Sequence, residues 1–136
     1  MIVGFANGCF DAFHEGHRHF LTTCRRRCDY LIVAVNTDEY CAGKGPNRPV
    51  DGLQQRMFHV RAYAEAVVPF HGREDNLLME IRPDVVFKGY DHSAPDVIAA
   101  RSPGWKDNGG IWKAPVVQIS HLPGFSTTKL LEGRST

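Results

Sequence analysis

Long apolar runs are missing from this chain. Nothing in it approaches the roughly 18–20 consecutive apolar residues that a membrane span requires, so no membrane partner is expected. Net charge is almost missing too: 16 Lys+Arg against 15 Asp+Glu leave +1. That excludes the broad basic field that nucleic acid would need and any acidic tail, and it makes anion binding a local matter. No G-x-G-x-x-G occurs, which removes the dinucleotide fingerprint. No G-x-x-x-x-G-K-[ST] occurs, which removes the P-loop, and Gly43-Lys44-Gly45 is too short to count as one. Cysteine is sparse. Cys9, Cys24, Cys28 and Cys41 form no C-x-x-C pair, and the chain lacks the marks of a small secreted domain, so reduced thiols are expected. Met1 leads straight into an apolar run that reads as a core strand rather than a signal peptide, which makes the cytoplasm the expected location. Internal repeats, low-complexity tracts and dividing linkers are absent, and 136 residues suit one domain over 1–136. A chain of this length buries about two thirds of its unfolded surface and needs no staples to fold.

What is present is an alternation of strand and helix signals. Residues 2–6 are short and apolar and end in the turn signal Asn7-Gly8. Over 17–28, Phe20, Leu21, Cys24 and Cys28 fall at helical spacing, with arginines mostly between them. Cys24 and Cys28 read as packing residues of that helix rather than a thiol pair. Residues 30–35 are continuously apolar, the pattern of a strand buried on both faces of a parallel sheet. Residues 42–52 hold three Gly, two Pro, Lys44 and Arg48, and read as a loop. Asp51 is the expected N-cap of a helix running to about residue 64. Residues 66–70 form a third strand, placed near an edge by Pro69. A short helix over 76–82 stops at Pro83, and a fourth strand over 84–88 ends in Gly89-Tyr90-Asp91. Helical structure over 96–101, a loop over 102–114, a fifth strand over 116–119 and a last helix capped by Ser126 complete the reading.

Strict alternation with short connections predicts an α/β fold: a single Rossmann-like domain with a five-stranded parallel sheet and helices on both faces. In such a sheet ligands lie outside the carboxyl ends of the strands. The polar residues gather at those ends: 7–17, 36–44, 89–91 and 120–129. After the first strand, small residues at Asn7-Gly8-Cys9 allow backbone N–H groups to approach an anion, and the next helix N-terminus adds its partial positive charge. Gly16 leaves space between His14 and His17. These lie about one helical turn apart, so both rings can face one way and donate to phosphate oxygens. No third ligand of matching spacing completes a zinc site. His19, His59, His71, His92 and His121 read as surface or local structural residues, with His92 and His121 nearest the rim, and Arg25-Arg26-Arg27 reads as a solvated face.

Asn7-Gly8-Cys9-Phe10-Asp11 followed by His14-Glu15-Gly16-His17 resembles the HxGH signature of the cytidylyltransferase-like nucleotidyltransferases, also grouped as HUP-type nucleotidylyl transferases. Ser126-Thr127-Thr128-Lys129 resembles their second signature. The stretches 31–38 and 44–50, Arg56-Met57 and Lys88-Gly89 are similar to the adenylyltransferase domain of bacterial ADP-heptose synthases. The stretch 29–44 and Ser126 to Lys129 are also similar to glycerol-3-phosphate cytidylyltransferase.

The resemblance implies a reaction in which a phosphate monoester attacks the α-phosphorus of a nucleoside triphosphate and releases pyrophosphate. The acceptor is then the nucleophile, and the protein supplies positioning and charge stabilisation. It implies catalytic roles for His14, His17 and Lys44. It implies nucleotide contacts from Asn7, Gly8, Cys9, Phe10, Gly16, Arg56, Gly89, Asp91, Ser126, Thr127 and Thr128, and substrate contacts from Asp11 and Asp38. No protein-held metal is implied; Mg²⁺ would come with the triphosphate. The expected partners are an NTP, a phosphorylated small-molecule acceptor and a second copy of the chain in a homodimer. ATP is favoured over CTP, with a sugar 1-phosphate or polyol phosphate as acceptor, in nucleotide-activated sugar or cell-envelope biosynthesis. A CTP-dependent glycerol-3-phosphate-type enzyme and a non-catalytic nucleotide-binding regulator are the alternatives. Tyr90, His92, Asn76 and the longer stretch 102–114 depart from the relatives, which leaves base and acceptor open. Trp105 and Trp112 have three readings: a dimer interface, a cover over the acceptor pocket, or closure of a loop. With no kinase domain in the sequence, the chain is expected to act alone or beside a separate kinase.

Overall fold

The computed structural model describes residues 1–43, 45–71, 75–90, 105–107, 110–112 and 114–120. Its order is β1 (Val3–Gly8), α1 (Glu15–Arg26), β2 (Tyr30–Asn36), α2 (Asp38–Ala42), α3 (Leu53–Val60), a 3-10 turn (Arg61–Tyr63), β3 (Ala66–Phe70), α4 (Asp75–Ile81), β4 (Val85–Tyr90), β5 (Trp105–Asp107), β6 (Gly110–Trp112) and β7 (Val116–Ser120).

Five of these strands form one sheet in the order β3-β2-β1-β4-β7, every pair parallel. One row across it reads Ala66, Ile32, Phe5, Val86, Val116. The chain steps outward from β1 to β3, then returns to lay β4 on the other side of β1. That reversal splays the connections apart and opens a crevice at the carboxyl ends of β1 and β4. β3 is an edge strand, where the missing N–H of Pro69 costs no ladder bond.

Alternation along the strands gives each face its own core. Ala6, Leu31, Val33, Val35, Phe87 and Ile119 meet Leu21 and Cys24 of α1 and Met57 and Val60 of α3. Phe5, Ala34 and Val86 meet Leu78 of α4. Helices therefore cover both faces, as strands apolar on both sides require. None of the helices among the described residues is long and apolar enough to cross a membrane.

Four local readings change. Residues 38–42, given no element from sequence apart from Ala42 at the start of the loop, form the short helix α2; five residues are too few to show a helical period. Gly52, not Asp51, is the N-cap of α3. Asp51 is engaged elsewhere: its N–H donates to Asp11 and its carbonyl accepts from Arg56. The stretch read as a loop over 102–114 contains an antiparallel pair, β5 with β6, that sets Trp105 opposite Trp112. Asn108-Gly109, a strong hairpin signal, lies between those strands in sequence. The cysteines are not all thiols: Cys9 and Cys41 form a disulfide, with Cα atoms 6.1 Å apart, while Cys24 and Cys28 are free. Burial, with the neighbouring Cys28 next, pushes the Cys24 thiol far up, and burial, with Glu65 next, also raises Cys28. Both are unreactive packing residues. The expected helices at 96–101 and from Ser126 lie outside the described residues.

Gly4 shows how closely β4 and the connection from α1 to β2 approach β1. A Cβ there would stand 2.6 Å from the Phe87 ring and 2.8 Å from Cys28 Sγ. Gly4→Ala is expected to destabilise the fold by about 1–3 kcal/mol, the cost of overpacking a filled core. Urea unfolding measures it, and an unchanged midpoint contradicts the packing described.

Candidate active site

The first wall of the site is local. β1 ends at Gly8, and a Cβ on that residue would press on the Phe10 ring at 3.2 Å. The chain then turns through Phe10 and Ala12, both with positive φ, 52° and 47°. Two non-glycine residues in left-handed geometry are strain held in place by the surroundings. Phe10, Asp11 and Ala12 are all buried.

His14 ends this turn as the N-cap of α1. Its Nδ1 accepts the Gly16 N–H at 3.0 Å, and His17 Nδ1 accepts the His14 N–H at 3.3 Å. This is a reciprocal cap built from two imidazoles where a Ser and a Glu are more usual. It has a chemical consequence. A ring whose Nδ1 accepts a backbone N–H carries its proton on Nε2, so each neutral imidazole has Nε2–H as its donor. The rings stack at 3.8 Å and 25°. Phe13 stacks behind His17 at 5.3 Å, and Phe10 meets it edge-on at 5.6 Å. Phe13 is backed in turn by His59 and Tyr63. His14 is held below the usual imidazole range, first by burial and second by the charge of Arg18, with Glu15 opposing.

The second wall joins loops. Asp11, expected to contact substrate, points inward instead. Its carboxylate accepts from Ala12 N (3.0 Å), Val50 N (2.8 Å) and Asp51 N (2.9 Å) and pairs with Arg48 Nε at 3.3 Å. Arg56, expected at the nucleotide, is fully buried. Its Nε donates to Asp51 O, Nη1 to Cys9 O and Asn36 O, and Nη2 to Asp38 Oδ1 at 2.7 Å. The guanidinium is committed to protein groups and fixes three loops to one another. Asp38 keeps a half-exposed carboxylate at the rim with one oxygen on Arg56. The Cys9–Cys41 disulfide spans the same junction, and Arg56 Nη1 lies 3.4 Å from Cys41 Sγ.

Across the crevice stands Lys88, near the carboxyl end of β4, with Nζ donating to Asn7 Oδ1 at 2.9 Å. Sequence reading quoted Lys88 as part of the family likeness and gave it no role. Its signal was position: a lysine inside an apolar strand, two residues before the end of β4. Gly89 is exposed beside it. The structure thus brings Asn7, Gly8, Cys9, Phe10, His14, Gly16, His17 and Asp38 to one rim with Lys88 and Gly89, and turns Asp11 and Arg56 inward to hold that rim together. Lys44, Asp91, Ser126, Thr127 and Thr128 lie outside the described residues.

Two outcomes test this geometry. Because folding lowers the affinity of His14 for a proton, its stabilisation is complete above the unfolded value near 6.5 and is lost as pH falls below it. The thermal midpoint is expected to drop between pH 7.5 and 5.5, and to drop less in His14→Asn, which retains a capping oxygen that does not titrate. Equal slopes contradict the assignment. Thiol titration in denaturant without reductant is expected to find two free thiols per chain, and Cys41→Ala to cost about 2–4 kcal/mol in denaturant unfolding. Four free thiols contradict the crosslink.

Known proteins resemble this chain over most of its length. Residues 5–130 match the family model described as cytidylyltransferase-like. The bifunctional protein HldE of Granulibacter bethesdensis is 40% identical over 145 aligned residues, covering 100% of this chain and 28% of that protein. HldE of Hydrogenovibrio crunogenus is 40% identical over 134 residues, covering 96% and 27%. This chain thus spans about a quarter of the length of the curated relatives it matches. Among solved structures, the lipopolysaccharide core biosynthesis protein of Thermoplasma volcanium superposes with TM-score 0.69 at 23% identity, covering 90% of this chain and 98% of that one. Pantothenate synthetase of Thermus thermophilus superposes with TM-score 0.60 at 15% identity, covering 90% and 56%. Those two likenesses concern the fold, while the match over 5–130 concerns the sequence itself: the chain belongs to the cytidylyltransferase-like family of nucleotidyltransferases.

Proposed function

We propose that this chain transfers a nucleotidyl group from an NTP, ATP in preference to CTP, to a sugar 1-phosphate or polyol phosphate. The observation that carries the reading is the stacked imidazole pair at the start of α1, each ring with Nδ1 occupied by a backbone N–H. The resemblance of 31–38 and 44–50 to the adenylyltransferase domain of ADP-heptose synthases favours ATP and a sugar phosphate.

An oxygen of the acceptor phosphate attacks the α-phosphorus. A P–O bond forms to the acceptor as the bond to the β-phosphate breaks, and pyrophosphate leaves with the electron pair. Charge grows on the non-bridging oxygens and on the leaving group. The Nε2–H donors of His14 and His17, with the N-terminal N–H groups of α1, meet that charge without having to reorganise. Lys88, at the β1–β4 crevice, brings a cation to the side across from the histidines. Among the described residues no group of three His, Cys, Asp or Glu stands ready to hold a metal. Mg²⁺ would enter with the triphosphate as part of the substrate, its oxygens coming from phosphate and water.

Incubation with each NTP, Mg²⁺ and a panel of phosphorylated acceptors, followed by pyrophosphate release, tests the reading. Release is expected with ATP and a sugar 1-phosphate. His17→Asn, which keeps an acceptor for the His14 N–H, is expected to lower turnover by about 10²-fold or more, the loss typical of one removed oxyanion donor, at an unchanged thermal midpoint. Nucleotide binding without release for every pair would sink the enzyme reading.

A further inference from the structure

We infer that Arg48 is a phosphate-binding residue of the nucleotide site and that Asp11 is the positioning residue that aims it. The inference rests on the proposed function and names a cation which that function lacks. Sequence reading gave the second positive group, beside Lys44, to Arg56. Arg56 cannot serve, because its Nε and both terminal nitrogens are spent on Asp51, Cys9, Asn36 and Asp38.

Arg48 is arranged in the opposite way. Its side chain is 13% exposed, and its ion pair runs from Nε, the inner nitrogen, to Asp11 Oδ2. Among the described residues its terminal nitrogens donate no hydrogen bond. The stem and Nε are thus largely withdrawn from water, while the terminal nitrogens are not among the buried unpartnered polar atoms and stay within reach of solvent. An anion met by the outer edge of the fork would satisfy them, and that edge suits the paired oxygens of a phosphate. The position is apt as well. Asp11 stands three residues before His14, so the pair ties Arg48 to the loop that carries the histidines.

Asp11 has no capacity to spare for a ligand. Its carboxylate is 1% exposed and is engaged by the N–H groups of Ala12, Val50 and Asp51 as well as by Arg48. Those bonds fix the backbone just after Pro49, and the ion pair holds the Nε of Arg48 just before it. A carboxylate on the inner nitrogen sets the direction of the fork and leaves its tips for phosphate.

The experiment compares binding of AMP, ADP and ATP with Mg²⁺ to the whole chain by calorimetry, with the thermal midpoint recorded for each variant. Arg48→Met is expected to weaken ATP binding roughly ten- to a hundredfold, the range for a hydrogen bond to a charged group. AMP binding should change less than about twofold, and Arg48→Lys should recover part of the loss. Asp11→Asn retains an oxygen for the backbone amides but drops the charge. It should fall between wild type and Arg48→Met, and the double variant should be no weaker than Arg48→Met alone. A merely structural role would lower AMP and ATP binding together along with the thermal midpoint, and that result overturns the inference. So does an Arg48→Met protein that binds ATP as wild type does. If Asp11→Asn fails to fold, the Arg48 series still decides. Wild-type turnover with an unaffected Arg48→Met protein sinks this inference alone, whereas a wild-type protein that binds no nucleotide sinks the functional reading with it.

Discussion

The rim of this protein depends on one buried guanidinium. Arg56 joins the loop after β1 through Cys9 O, the end of β2 through Asn36 O and Asp38, and the entry to α3 through Asp51 O. A cation removed from water is tolerable only when its donors are satisfied, and removing one side of such a buried network typically costs about 3–5 kcal/mol. The same feature makes the arrangement specific. A planar fork reaches three carbonyls and a carboxylate together only when the three loops stand in one relation. Asp11 acts on the neighbouring stretch from the other direction, gathering amides where Arg56 gathers carbonyls. At Asp51 the two systems meet on one peptide segment.

That frame bears on how a nearly neutral protein would present the proposed anion site. His14 is held below the usual imidazole range, and the Nδ1 atoms of both rings accept backbone N–H groups that the start of α1 must satisfy in any case. Capping the helix and preparing two Nε2–H donors are one event. Electrostatic attraction then comes from fixed dipoles and a few placed cations rather than a broad field. This suits a reaction in which the substrate supplies the nucleophile and the protein supplies position.

Much of the fold was legible in residues 2–6, 30–35, 66–70 and 84–88, because strands buried on both faces have to be continuously apolar and the periodicity between them marks helices. The edge position of β3 was legible in Pro69. The short helix α2 was not, since five residues carry no period, and the pair Trp105–Asp107 with Gly110–Trp112 was hidden by the glycines around it. At the site, His14 and His17 were legible because their relation is local. Arg56 and Asp11 were expected to face ligand because a charged residue in a motif reads so, whereas their burial is settled by partners far along the chain.

The sequence by itself determined the alternating α/β order, the strand ends where polar residues collect, and the pairing of two imidazoles one turn apart at a helix start. These are short-range consequences of period, turn chemistry and capping. Tertiary structure alone decided that Arg56 and Asp11 face inward, that Cys9 meets Cys41, and that Lys88 reaches Asn7 across 81 residues of sequence. Each of those depends on which strand lies next to β1. That order is set by the collective burial of both sheet faces, which no single stretch of the chain encodes.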